Sequence, residues 1–206
     1  GVLSGMPFGD CPHLVLDIGG GSTELILADG RDARALTSTR VGAVRLQRDF
    51  VKDDPMPPQR RTFLQAFIQG SLEPAVNKVL RRITPEETPV MVATSGTAMA
   101  IGALAASEED RPPLKLHGYR VSKQRLDRVV DRLVLMTPEQ RKGLAPINDR
   151  RAEIIVPGAL ILQTSMQMLG AKELVLSERA LREGLIVDWM LRHGLLEDRF
   201  SFQSSI

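Results

Sequence analysis

Residues 17–24 read Asp17-Ile18-Gly19-Gly20-Gly21-Ser22-Thr23-Glu24, set between the apolar runs 14–18 and 23–28. That placement restricts the fold more than any other feature of the chain. A flexible joint does not sit between two apolar strands, and a plain hairpin needs fewer glycines. A tight turn between strands points successive backbone N–H groups outward, making a concavity suited to phosphate oxygens. Glycines remove the Cβ atoms that would block a phosphate, and they permit positive φ. The Ser22 and Thr23 hydroxyls are candidate additional donors. Asp17 ends the first strand, where its carboxylate can hold a hydrated Mg²⁺ or a water, and Glu24 stands across the turn. Two carboxylates flanking a phosphate cradle are what metal-assisted attack of water on phosphorus requires.

The rest of the chain reads as α/β. Asp29-Gly30 is a two-residue hairpin signal, and residues 31–41 read as a third, more polar strand, giving an antiparallel meander. Apolar residues then recur at helical spacing over 58–83, where Pro74 predicts either a kinked helix or two helices, the second capped by Ser71. A buried-type strand over 89–94 runs through Ser95-Gly96-Thr97 into a small-residue helix over 98–106. Residues 107–118 are polar and proline-rich, the best candidate for a flexible excursion. Helices are predicted over 122–136, from a Thr137 cap onward, and over 151–169, where Pro157-Gly158 interrupts and Gly170 stops it. A strand over 173–176 and a helix over 180–193 close the chain.

Composition removes several function classes. At 43% hydrophobic and 25% charged the chain is globular, and its 206 residues suffice for a sizeable core. A net charge of +2 offers no general argument for a nucleic-acid or membrane partner. The single cysteine, Cys11, excludes an internal disulfide and a cysteine-rich zinc site. No apolar run approaches the roughly 20 residues needed to span a bilayer, and no secretion signal is visible. A cytoplasmic location is expected.

Residues 17–25 resemble the signature of the exopolyphosphatase/guanosine pentaphosphate phosphohydrolase family, within the actin-like ATPase superfamily. The resemblance continues in Val41-Gly42-Ala43-Val44-Arg45-Leu46 and in Ala93-Thr94-Ser95-Gly96-Thr97-Ala98. It continues again in Arg151-Ala152-Glu153-Ile154-Ile155 followed by Gly158, and in Leu176-Ser177 followed by Leu181-Arg182-Glu183-Gly184-Leu185. It implies a ribonuclease H-like lobe of the actin-like fold, with a mixed five-stranded sheet and flanking helices, over residues 1–206 as one domain. Family members carry two lobes around a cleft. The resemblance implies that this is the second lobe, with Gly1-Val2-Leu3-Ser4-Gly5 as the linker into it. The first lobe would carry another phosphate loop and the glutamate regarded as the base.

The implied reaction releases terminal phosphate from polyphosphate, or the 5′ γ-phosphate from guanosine pentaphosphate, with Mg²⁺ as cofactor. Asp17 and Glu24 would bind metal or orient water, and Gly19, Gly20, Gly21, Ser22 and Thr23 would hold phosphate. Gly96 and Thr97 open a helix after a strand, so their N–H groups are further anion candidates. Arg151 reads by itself as a solvated helix start, while its place in the family pattern implies a phosphate contact. His13, His117 and His193 show no ligand spacing and are set aside. Expected partners are the substrate and the N-terminal lobe of the same protein. A homodimer is compatible with this reading, and no membrane or specific nucleic acid is expected. A non-catalytic lobe that senses guanosine polyphosphates is the alternative, and a kinase of the same superfamily is weaker because Ser95-Gly96-Thr97 lacks a Gly-Gly pair.

Overall fold

The computed structural model describes residue 2 and residues 11–29 and 32–195, without the side chains of residues 181–183. The linker assigned to residues 1–5 therefore lies, Val2 excepted, outside the described residues, as does Gly30 of the expected hairpin turn.

Strands β1 (His13–Ile18), β2 (Thr23–Asp29) and β3 (Asp32–Thr39) form the expected antiparallel meander. They are followed by α1 (Ala43–Phe50) and α2 (Pro58–Leu80), then β4 (Val90–Thr94) and α3 (Gly96–Ser107). A short β5 (Arg120–Ser122) leads into α4 (Lys123–Leu135) and α5 (Pro138–Lys142). The described elements close with α6 (Asp149–Met168), β6 (Glu173–Ser177) and α7 (Leu181–Arg192). The sheet has six strands in the order β3-β2-β1-β4-β6-β5. The expected sheet had five. The sixth, β5, is only three residues long, too short to leave an alternating pattern in a polar stretch.

Both internal prolines lie within continuous helices. Of the two readings of Pro74 the single helix holds: α2 runs through it, so Ser71 caps nothing. The buried stripe Leu64, Ile68, Leu72, Val76 and Val79 continues on both sides of the proline, and the proline itself faces solvent, where the carbonyl it leaves unpaired is open to hydration. Helix α6 likewise runs through Pro157-Gly158, and every residue from Ile155 to Met166 is buried. It is the central helix of the fold and packs on α1, α2, α3, α4 and α5.

Alternation sorts the sheet into two unlike faces. Leu14, Leu16, Ile18, Met91, Ala93, Leu174 and Leu176 point into the helix-covered core. On the other face an apolar row runs across the strands: Leu36 opposite Ile26, then Val15, Val92 and Val175. One step toward the carboxyl edge of the parallel strands comes a polar row, Ser38, Glu24, Asp17, Thr94 and Ser177. Among the described residues no helix is long and apolar enough to cross a membrane.

Candidate functional site

In parallel strands of an α/β sheet, ligands bind beyond the carboxyl ends. Here those ends belong to β1, β4 and β6, and the glycine turn continues directly from the first. Gly19 N–H donates to the Ser22 carbonyl at 2.8 Å and closes the turn. From behind, α1 braces it: Ala43 N–H donates to the Gly19 carbonyl and Arg45 N–H to the Gly20 carbonyl, both at 3.0 Å. The Thr23 hydroxyl donates to the Val41 carbonyl at 2.6 Å in a buried setting. It ties the turn to the entrance of α1, so in this structure its proton goes to the Val41 carbonyl and not toward the cavity.

The reason for the glycines also differs from the expectation. Among the described glycines only Gly118, Gly170 and Gly194 adopt positive φ, so the turn does not use left-handed backbone. Close approach accounts for Gly20 and for Gly42 behind it, while a Cβ on Gly21 would meet nothing within 4 Å. A Cβ on Gly42 would lie 2.5 Å from the backbone of Gly20 and Gly21, and one on Gly20 would lie 3.2 Å from Val44. With its carbonyls held from behind, the turn leaves the exposed Gly20 and Gly21 N–H groups directed away from α1.

Beside the turn lies a cavity of about 200 Å³ lined by Ile18, Gly19, Gly20, Ala43, Gly96, Thr97, Arg151 and Ile154. Three helix starts converge on it: α1 after Gly42, α3 after Ser95 and α6 after Asn148. Each contributes the positive end of its dipole, which favours an anion. Ser95 Oγ accepts from Ala98 N–H at 3.2 Å, and Asn148 Oδ1 from Arg151 N–H at 2.9 Å. The cap leaves the first-turn N–H groups of Gly96 and Thr97 for a ligand. Ser95 holds φ at 123°, a conformation L-residues rarely adopt, at the junction between β4 and α3.

Arg151 reaches this cavity because Gly96 has no side chain. A Cβ there would overlap its guanidinium, with Cζ only 3.0 Å away. Gly158 does the same for the helices: a Cβ there would lie 2.6 Å from Thr97 Cγ2 and 3.4 Å from Ala43 Cβ. The sequence motifs for the glycine turn, Gly96-Thr97 and Arg151, up to 132 residues apart, thus meet at one place.

On the other side of the turn stand the carboxylates. Asp17 and Glu24 are a direct cross-strand pair, so they face each other on one surface. Burial pushes the Asp17 carboxyl above its ordinary range, and the facing Glu24 charge pushes it the same way. Ser22 Oγ and Ser38 Oγ each donate to Glu24 Oε1 at 2.7 Å. Ser38 had no role in the sequence reading, and Gly42 and Gly158 entered it only as parts of the family pattern, with no site role.

Residues 1–193 match the model of the Ppx/GppA phosphatase family. The chain belongs to that family. It is similar to exopolyphosphatase 2 of Mycobacterium tuberculosis, with 33% identity over 178 residues, covering 84% of this chain and 54% of that protein. It is similar to a guanosine-5′-triphosphate,3′-diphosphate pyrophosphatase of Vibrio parahaemolyticus, with 29% identity over 176 residues, 85% of this chain and 33% of that protein. The crystal structure of the Aquifex aeolicus Ppx/GppA family member superposes with a TM-score of 0.79 at 26% identity, over 93% of this chain and 60% of that one. The fold is that of Ppx/GppA members of the actin-like ATPase superfamily. The chain spans about half the length of the first curated relatives it matches.

Proposed function

We propose that this chain is the phosphate-binding second lobe of a cytoplasmic phosphoanhydride hydrolase. It would release terminal phosphate from inorganic polyphosphate or the 5′ γ-phosphate from guanosine pentaphosphate. The observation that carries this reading is the convergence of the glycine turn and three helix starts on one cavity, with the Asp17–Glu24 pair at the same edge of the sheet. The names of the relatives, exopolyphosphatase and guanosine pentaphosphate pyrophosphatase, agree with that chemistry.

In this mechanism the Gly20 and Gly21 N–H groups, with those of Gly96 and Thr97, hold phosphate oxygens, and Arg151 adds a guanidinium fork. Asp17 and Glu24 hold the attacking water or a divalent cation. The donor set fits Mg²⁺ in its substrate-bound mode, one or two carboxylates completed by phosphate oxygens and water. Among the described residues no group of three or more His, Cys, Asp or Glu side chains could hold a metal alone. The raised Asp17 carboxyl points the same way, since a cation there would relieve the burial of two facing carboxylates. Bound Mg²⁺ would neutralise charge on the transferring phosphoryl group. A companion lobe would close the cleft and bring the base, so the isolated chain is expected to turn over nothing.

Phosphate release from polyphosphate and guanosine pentaphosphate, by the two-lobed protein and by this chain, tests the reading. Release by the former alone is expected. Binding of either compound without release by the two-lobed protein would favour a sensor.

A further inference from the structure

The polar row on the second face of the sheet contains a side chain for which the proposed chemistry has no assignment. Ser38 sits on β3, the edge strand, directly opposite Glu24. Its Oγ lies 2.7 Å from Glu24 Oε1, and Ser22 Oγ lies 2.7 Å from the same oxygen on the other side of the turn. A carboxylate with both hydroxyl donors on one oxygen is fixed about its terminal torsion, which is otherwise broad. Among the described residues Glu24 Oε2 takes no hydrogen bond, so it is the oxygen left for a water or a cation.

The two hydroxyls are not equivalent. Ser22 belongs to the turn and moves with whatever the turn binds. Ser38 is anchored independently, because β3 is held along its length by β2 and its register is set by the bulge between Leu27 and Ala28. We propose that Ser38 is a positioning residue that holds the Glu24 carboxylate through Oε1 and so keeps Oε2 turned to the reaction. This inference rests on the assignment of Glu24 to the chemistry and goes beyond it by naming the group that orients it. A hydrogen bond to a charged group strengthens as its geometry is enforced, and one supplied from a rigid strand costs no ordering at the moment of reaction.

The test is the substitution pair Ser38→Thr and Ser38→Val in the two-lobed protein, with Glu24→Gln as reference. Threonine keeps the hydroxyl, valine has the same shape without it, and both suit an edge strand. The expected result for Ser38→Val is a fall in kcat of about tenfold on tripolyphosphate, with KM within about twofold. Ser38→Thr should restore most of the loss, and melting temperatures should agree between the two variants. Mn²⁺ affinity, read by electron paramagnetic resonance with inorganic phosphate present, should weaken in the valine variant only. Equal kcat and equal Mn²⁺ affinity in the two variants, beside an inactive Glu24→Gln, would overturn the role of Ser38 while leaving Glu24 in place. Full turnover by Glu24→Gln would remove the assignment beneath it, and the role of Ser38 with it.

Discussion

The two edges of the sheet carry cavities of opposite character. At the amino edge a space of about 450 Å³ lies between Leu14, Leu80, Ile83, Val90, Met91, Leu169 and Val175. At the carboxyl edge the space is about 200 Å³, and glycines, Thr97 and Arg151 line it. The larger one has mainly apolar walls and none of the three convergent helix starts. Its two carboxylates are engaged in ion pairs, Glu173 with Arg120 and Glu87 with Arg34. Glu87 is bound by Arg34 and accepts from Thr84 N–H at 2.9 Å, which pulls its carboxyl down to about 2. At the carboxyl edge the situation is reversed, since Asp17 is kept where its ionised form is disfavoured. The proposed chemistry therefore does not follow volume. It follows strand direction and the cost imposed on a charge.

The strongest way to break this contrast is at the carboxylates. Asp17→Asn and Glu24→Gln in the proposed two-lobed protein should each lose about 10²-fold or more in kcat. Asp17→Asn should nevertheless melt at the same temperature or higher. The Asp17 carboxyl titrates above its unfolded value, so its ionisation costs stability at neutral pH, and the cost disappears as pH falls through the folded value. Turnover near that of the parent in both variants would move the chemistry elsewhere.

Next come the paired residues over the cavity. Arg151→Ala should weaken tripolyphosphate binding about tenfold and flatten its salt dependence. Gly96→Ala should match it, because the new methyl displaces the guanidinium, a movable group, while leaving the fold intact. Isothermal titration at two salt concentrations reads both effects. The counterpart at the amino edge is Gly170, which ends α6 at φ 66° with Ala171 N–H donating to the Met166 carbonyl at 3.0 Å. Gly170→Ala should cost about 1 kcal/mol of stability in denaturant melts and leave phosphate binding alone.

The smallest effect is expected at Glu87. Its carboxyl lies below the unfolded value, so it adds stability above that value and loses it as pH falls toward about 2. Glu87→Gln should lower the melting temperature slightly at pH 7, and the difference should vanish toward pH 2.

The edges are also linked, and the link explains what the sequence could and could not disclose. The glycine turn was legible because glycines between apolar runs have few uses, and strand alternation then placed Asp17 and Glu24 near it. Ser38 was not legible. Carried back from the Asp29–Asp32 pair, uninterrupted pairing would set Thr37 opposite Glu24, and the bulge between Leu27 and Ala28 substitutes Ser38. Arg34, within that irregular stretch, is held by Asp29 at 2.6 Å, by the Arg82 carbonyl at 3.0 Å and by Glu87. An amino-edge ion cluster thus sits at the bulge that sets the register the carboxyl edge uses. Helix α1 was missed for a related reason: its exposed residues are mostly charged, and only Ala43 and Leu46 are buried. The reach of Arg151 depends on Gly96, 55 residues earlier, a contact that local spacing does not encode.

The most direct test is a backbone amide titration of this chain with tripolyphosphate, followed by nitrogen–proton correlation spectra. If phosphate is held at the carboxyl edge, shifts should concentrate in Gly19 to Thr23, Gly96, Thr97 and Arg151, with Glu87, Val90 and Lys172 unmoved. Shifts gathered around the amino-edge cavity, with the glycine turn silent, would contradict the account.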